Sequence, residues 1–85
     1  MMNFFLLSKH QTIEENVLVT SKVLFELLNK KKHVDQLFLE FAKKQNVVLN
    51  LNIERVLYLS LTFLYSLDVI SIQNNLVMRK KKNDS

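Results

Sequence analysis

The chain has 85 residues, a formal net charge of +4, 48% hydrophobic residues and 24% charged residues, a composition typical of one small globular domain. Cysteine, glycine and proline are all absent. This excludes disulfides, thiolate metal sites and the glycine-rich loops that hold nucleotides. Turns must therefore be made by Asn, Asp, Ser and Lys.

Residues 1–11 are predicted to form an extended lead-in arm. Its apolar run, Phe4–Leu7, could add a short strand, pack on the domain or belong to an interface. The arm lacks the basic start and the small-residue cleavage site of a signal peptide. The apolar run Val56–Leu67 is shorter than the roughly 20 residues that a spanning helix needs. We therefore expect a cytoplasmic protein without a membrane segment.

The first helix is predicted to begin near Ile13, because Thr12 and Glu15 form the T-x-x-E capping-box pattern. Its core-facing residues recur at helical spacing: Ile13, Val17, Thr20, Val23, Leu24, Leu27 and Leu28. Leu18 and Phe25 lie off this stripe, seven residues apart and hence on one line of the helix surface. They form a second apolar edge that a small core does not hide.

A second helix is predicted from His33, its candidate cap, to about Gln45. Its apolar residues have spacings of three and four: Val34, Leu37, Phe38 and Phe41. The preceding lysines, Lys30, Lys31 and Lys32, are predicted to be solvent-facing residues of a turn.

The longest helical pattern is Asn52–Asp68, which follows a segment, 46–51, that fits either a loop or one short strand. Asn52 is the candidate N-cap. The predicted core stripe consists of Ile53, Val56, Leu57, Ser60, Phe63, Leu64 and Leu67. Four further residues lie outside it: Tyr58, Leu59, Leu61 and Tyr65. A helix with apolar residues on both faces indicates burial on more than one side, and so a protein partner.

After this helix the pattern changes to β-formers. Val69–Ile72 predicts a strand, Gln73–Asn75 a turn because Asn tolerates positive φ, and Leu76–Arg79 a second strand. Three helices followed by a β-hairpin are the order of elements in a winged helix-turn-helix domain. The predicted fold is thus mostly α with a C-terminal β-hairpin, with the domain at 12–79 and a basic disordered tail at 80–85.

Two functions remain open on these residues. The last helix offers one arginine and no lysine outside its core stripe, which favours a protein partner over DNA bases. The candidate partner-binding residues are Leu18, Phe25, Tyr58, Leu61 and Tyr65. The alternative is a small DNA-binding regulator that uses its hairpin and tail on phosphates. The candidate nucleic-acid contacts are Arg79, Lys80, Lys81 and Lys82.

Two structural alternatives also stand beside the partner hypothesis. The lead-in arm could fold over one of the exposed apolar stripes and complete the core of the monomer. A homodimer through the same stripes would also hide them.

No catalytic, metal-binding or cofactor-binding residue is predicted. His10 and His33 are the two histidines, and neither has a carboxylate pair or a second ligand at metal spacing. The glutamates are scattered at positions expected for helix surfaces and first turns. We expect that the chain is not an enzyme and needs no cofactor.

The chain also resembles a known family over about residues 6–80. The matching segments are SKH at Ser8–His10, ENVLVTSKVLFELL, VDQLFLEF and ERVLYLSLTFLYSLDVISIQNNLVMR. They resemble the small middle component, type 6, of bacterial ABC-three component systems. The chain departs from the family pattern at Ser66–Val69, where an Ala-Leu-Gly-Leu type of turn is common, and at Gln73–Asn75, where acidic residues and glycine are usual.

This resemblance implies a role that composition cannot supply. Such systems pair a coiled-coil, SMC-like ABC ATPase with a middle component and a variable effector, and they are thought to act against phages or plasmids. The resemblance therefore implies a non-catalytic adaptor in a defence complex, with the ATPase and the effector as its partners. DNA contact stays open, and we expect it to be made through the complex.

Overall fold

Three helices and a small three-stranded sheet make up the computed structural model, which describes residues 13–81. The helices are α1 (Ile13–Leu27), α2 (Val34–Gln45) and α3 (Leu51–Ser66), and the strands are β1 (Lys32–His33), β2 (Ile70–Gln73) and β3 (Leu76–Arg79). The strands pair antiparallel in the order β1-β3-β2. The predicted three helices with a C-terminal hairpin are confirmed, and their order is that of a winged-helix domain. The predicted lead-in arm, Thr12 and Lys82 lie outside the described residues.

The core lies where the three helices meet the inner face of the hairpin. Its buried members are Leu24, Leu28, Val34, Leu37, Phe38, Phe41, Ile53, Leu57, Leu61, Leu64, Ile70 and Val77. Fully burying one such side chain stabilises the fold by about 1.5–3 kcal/mol. Small polar residues join α1 to α3, where Ser21 Oγ donates to the Ser60 carbonyl at 3.3 Å and Ser60 Oγ donates to the Val17 carbonyl at 3.4 Å.

Helix α3 differs from its prediction at three positions. Its N-cap is Asn50, whose Oδ1 accepts from the Ile53 amide at 2.9 Å, so the prediction that Asn52 caps the helix is wrong. Leu61 is only 4% exposed and belongs to the core, because the hairpin covers a second side of the helix. Leu67 was predicted to be a core residue but is exposed, since the helix ends at Ser66.

The lysine cluster before α2 also differs from its prediction. Lys30 and Lys31 are exposed, as predicted. Lys32 is not, because it lies in β1 opposite Val77 and is 5% exposed. Its Nζ donates to the Leu27 carbonyl at 2.6 Å and forms an ion pair with Glu40. A buried ammonium group needs such partners, and the C-terminus of α1 supplies one of them.

The turns are made without glycine. Among residues 13–81, four have positive φ: Asn46 (56°), Asp68 (65°), Asn74 (51°) and Asn75 (64°). Asn and Asp enter this left-handed region more readily than other side-chain-bearing residues. Asn74 and Asn75 form the two-residue loop between β2 and β3, where a primed turn requires positive φ at both positions. The predicted turn is confirmed at Asn74 and Asn75, whereas Gln73 is the last residue of β2, and Val69, which was predicted to begin the strand, precedes it.

The hairpin is fixed to the helices at both ends. At its tip, the Val34 amide donates to the Asn75 carbonyl at 2.8 Å. At its base, the Arg79 guanidinium donates to the Phe25 carbonyl through Nε at 3.1 Å and Nη2 at 2.7 Å. The same guanidinium lies 4.3 Å from the centroid of the Phe25 ring. The hairpin therefore forms one body with α1 and α2.

Candidate protein-binding site

An apolar groove of about 300 Å³ lies between α3 and the hairpin. Its lining residues are uncharged: Val34, Tyr58, Leu61, Thr62, Tyr65, Ile72 and Asn75. We call it the tyrosine groove. Tyr58 and Tyr65 are 55% and 57% exposed, whereas Val34 and Leu61 are buried. The tyrosines thus form the rim and the aliphatic side chains the floor.

The Tyr58 side chain packs against α2. Its ring meets the ring of Phe38 edge-on, with centroids 5.0 Å apart and an interplanar angle of 77°, a favourable arrangement for two aromatic rings. One rim of the tyrosine groove is therefore ordered without a ligand.

A second hollow, of about 320 Å³, continues the tyrosine groove toward the hairpin turn. The two hollows share Val34, Tyr58 and Asn75. The second hollow adds His33, Asn74 and an exposed carboxylate, Asp35. The continuous surface is thus apolar along α3 and acidic near the turn.

The predicted partner-binding residues do not form one surface. Tyr58, Leu61 and Tyr65 meet in the tyrosine groove. Leu18 is exposed on α1, and Phe25 is half-buried beneath Arg79, but neither lines the groove. The structure therefore assembles the α3 part of the predicted interface, and Leu18 remains a separate exposed residue.

The predicted nucleic-acid contacts are partly engaged within the chain. Arg79 binds the Phe25 carbonyl, and Lys80 Nζ forms an ion pair with Asp68 Oδ1. Lys81 is exposed. Because Arg79 and Lys80 have intramolecular partners, the cations offered to a phosphate backbone are fewer than the sequence indicates.

The sequence reasoning missed Val34, Thr62, Ile72 and Asn75 as groove residues. They come from α2, α3, β2 and the hairpin turn, and only tertiary packing brings them together. The one sequence signal was the Asn-Asn turn, which predicts the hairpin that carries Ile72 to α3.

The described part of the chain has neither a metal-binding group nor a membrane-spanning helix. Within residues 13–81, no group of three His, Asp or Glu side chains could hold a metal ion. No helix in that range is both long and apolar enough to cross a membrane.

Exposed tyrosines around an apolar groove are features of protein-binding surfaces. Comparison of the sequence with known protein families identifies the class to which the chain belongs. The chain belongs to the Middle Component 6 family of ABC-three component (ABC-3C) systems, whose family model matches residues 6–81. The resemblance seen in the sequence is confirmed. The family is thus one of middle components of ABC-3C systems.

One curated relative is the "Uncharacterized protein YydC" of Bacillus subtilis (strain 168), which is 60% identical over 78 residues. The match covers 92% of this chain and 59% of the relative, so the chain spans less than two thirds of that protein's length. No solved structure matches the chain.

Proposed function

We propose that this chain is a non-catalytic adaptor that links the SMC-like ABC ATPase of its system to an effector, in a cytoplasmic complex that defends against phages or plasmids. The observation that carries the proposal is the tyrosine groove. Two tyrosines more than half exposed flank a hollow without a charged lining residue. Tyrosine is enriched at interface hot spots because it offers a large apolar ring and tolerates intermittent exposure.

The composition of α3 supports a protein partner over DNA. In DNA-reading helix-turn-helix domains, the recognition helix presents polar side chains to base edges in the major groove. Here α3 carries a single cation, Arg55, and exposes Tyr58, Leu59 and Tyr65 instead. The hairpin tip, Asn74 and Asn75, has no charge for a phosphate.

The test is co-purification of the tagged full-length chain, co-expressed with the ATPase and effector of the same system and washed at high salt. We expect both subunits in fixed ratio. Tyr65→Asp should reduce their recovery about tenfold or more, as truncation of an interface hot spot does. Tyr65 is preferred to Tyr58 for a single substitution because no aromatic contact ties its ring to α2 within the described residues.

The matched control is Leu39→Asp, which places the same charge on an exposed apolar residue of α2 outside the tyrosine groove. It should leave recovery unchanged, and both variants should remain as helical as wild type by circular dichroism. The double variant Tyr58→Asp with Tyr65→Asp should abolish binding. Failure of the wild-type chain to retain either subunit would overturn the proposal.

The regulator alternative has its own test. Removing residues 81–85 takes away exposed Lys81 and the rest of the tail but keeps Arg79 and Lys80, which have partners in the fold. A DNA-binding regulator should then bind more weakly and with a flatter salt dependence. An adaptor should retain its protein partners at the wild-type level.

A further inference from the structure

An open hollow of about 1000 Å³ lies on the outer side of α2, between this helix and the segment 46–49. Two of its apolar lining residues project into solvent, since Leu39 is 59% exposed and Val48 is 83% exposed. Single exposed apolar residues are common on protein surfaces, but two beside one hollow form a patch that a neighbouring molecule can cover. We call the surface formed by Asp35, Leu39, Lys43 and this hollow the α2 face.

The wall of the hollow opposite α2 is fixed by the way the helix ends. Asn46 ends α2 in the left-handed conformation, with φ of 56°. Its amide donates to the Lys43 carbonyl at 3.2 Å, and the Val47 amide donates to the Ala42 carbonyl at 3.0 Å. These two bonds form a Schellman motif, which sets the direction of the chain after a helix. The hollow therefore exists before any molecule fills it.

Two charges flank Leu39 on the α2 face. Asp35 and Lys43 are exposed and lie four residues before and four residues after Leu39, so the three side chains follow one side of the helix. Neither charge has an ion-pair partner among residues 13–81, where the ion pairs involve other residues. The α2 face is thus negative at its N-terminal end, apolar at its centre and positive at its C-terminal end.

This charge pattern is complementary to itself. In an antiparallel second copy of α2 centred on Leu39, the order of the charges is reversed, and in both helices each charge lies about 6 Å along the axis from the centre. Asp35 of one chain is then opposite Lys43 of the other at both ends of the contact, and the two Leu39 side chains meet at the centre. One self-complementary patch that serves both subunits is the basis of a two-fold dimer.

We propose that two copies of this chain associate through their α2 faces, with the two helices antiparallel and the two-fold axis at Leu39. A second copy is the occupant that the charges specify, because it carries both charges and the apolar centre at the matching spacing. Glu40, a further carboxylate beside this face, is already paired with Lys32 of its own chain and does not oppose the approach of a second copy.

This dimer is separate from the proposed adaptor function and should be weak. Leu39 does not line the tyrosine groove, so the isolated chain tests the dimer without the other subunits. Exposed ion pairs contribute little individually, and the apolar centre is narrow. We therefore expect an association that becomes measurable only at micromolar or higher concentrations of the chain.

Sedimentation equilibrium of the isolated full chain, between about 1 µM and about 1 mM, measures this association. We expect monomers at the low end and dimers at the high end, with no larger species. A chain that stays monomeric throughout would overturn the inference. Continued growth beyond the dimer would also overturn it, since a two-fold interface closes on itself.

Two charge reversals test the pairing. Asp35→Lys gives a chain with lysine at both positions, and Lys43→Asp gives a chain with aspartate at both. Each variant alone should dimerise about tenfold more weakly than wild type, because like charges face each other at both ends. An equimolar mixture should dimerise again, because opposite charges are restored at both ends. A mixture that associates no better than the single variants would contradict the two-fold arrangement.

Lys44→Asp is the matched control for Lys43→Asp. It makes the same charge change in the same last turn of α2, at an exposed residue that does not line the hollow. This variant should dimerise as wild type does. If it weakens the dimer as much as Lys43→Asp, the effect comes from net charge or from the helix and not from the proposed pairing.

Leu39→Ala tests the centre of the interface without a change of charge. Alanine is a strong helix former, so the variant should keep the helicity of wild type by circular dichroism and decides the matter even if a charge-reversed chain does not fold. Loss of both leucine side chains should weaken the dimer about tenfold. Equal association of Leu39→Ala and wild type would place the second copy on another surface and overturn the inference.

Discussion

Lys32 and Glu40 form an ion pair in which the lysine side chain is 6% exposed and the glutamate side chain 33% exposed. The same ammonium group donates to the Leu27 carbonyl at 2.6 Å. One side chain therefore joins the C-terminus of α1, strand β1 and the middle of α2. Such a position makes Lys32 a residue of the fold, although its sequence context is a run of three lysines.

Lys32→Met should destabilise the chain by about 1–3 kcal/mol, because the Leu27 carbonyl and Glu40 both lose a donor. Urea unfolding measures this. Lys31→Met, at an exposed neighbour, serves as the control and should change stability little. The double variant Lys32→Met with Glu40→Met should recover part of the loss, since it removes the unpaired charge. An unchanged midpoint for Lys32→Met would show that the pair contributes nothing.

The free energy of unfolding should depend on pH in the acid range because of Glu40. The hydrogen bond from Lys32, followed by that from Gln36, lowers the pKa of Glu40 below its ordinary value of 4.5. A lowered folded-state pKa gives stabilisation that is fully present above the unfolded-state pKa and is lost as the pH falls through the lowered folded value. Glu40→Gln should therefore be less stable than wild type at neutral pH and approach it in acid.

Glu26→Gln is the control for that measurement, since Glu26 is exposed and makes no ion pair within residues 13–81. Its difference from wild type should not follow the pH dependence of Glu40→Gln. Unfolding midpoints collected across the acid range would separate the two. If the unfolding midpoints of wild type and Glu40→Gln differ by the same amount at every pH, Glu40 is not the cause of the pH dependence.

Substitution of Asn75, where φ is 64°, by alanine or by glycine should change the stability of the chain in different directions. Asn75→Ala should cost about 1 kcal/mol, because a β-carbon without a polar side chain is disfavoured at positive φ. Asn75→Gly should match or exceed wild-type stability, since Asn-Gly is the preferred pair for this turn. Thermal unfolding of both variants measures the contrast. Equal losses would point instead to a missing contact of the asparagine side chain.

Arg79→Lys distinguishes a structural arginine from a phosphate contact. Lysine keeps the charge but loses the planar fork that holds the Phe25 carbonyl and lies over the Phe25 ring. We expect a loss of about 0.5–1.5 kcal/mol in unfolding free energy. Nucleic-acid binding, measured by salt titration, should be the same for both. A large fall in DNA affinity without a change in stability would assign Arg79 to the regulator alternative.

Much of the fold could be predicted because local signals agreed with it. The helical spacing and the Asn-Asn turn each had a physical basis in neighbouring residues. Strand β1 had none, because a two-residue strand of Lys32 and His33 has no periodicity and is created by its partner β3. The cap at Asn50 was missed because two asparagines, Asn50 and Asn52, both fit the pattern.

The candidate site was predictable only in part. Tyr58 and Tyr65 were identified because they fall off the core stripe of a long uncharged helix. Leu61 falls off it too, but the hairpin buries it, which no helical pattern can show. The place of Ile72 in the groove required the register of β2 and β3. That register depends on where the turn falls, and a shift of one residue would move the side chain of Ile72 to the other face of the sheet.

The attachment of the hairpin at Asn75 and at Arg79 has a kinetic consequence. A binding surface that is rigid before the encounter loses little conformational entropy on association. If the proposed adaptor function holds, recognition should then proceed as docking onto a preformed surface, with any ordering confined to the partner. Association should accordingly be a single concentration-dependent phase, with a rate constant in the ordinary range of about 10⁵–10⁷ M⁻¹s⁻¹, and affinity differences among variants should appear in the residence time of the complex.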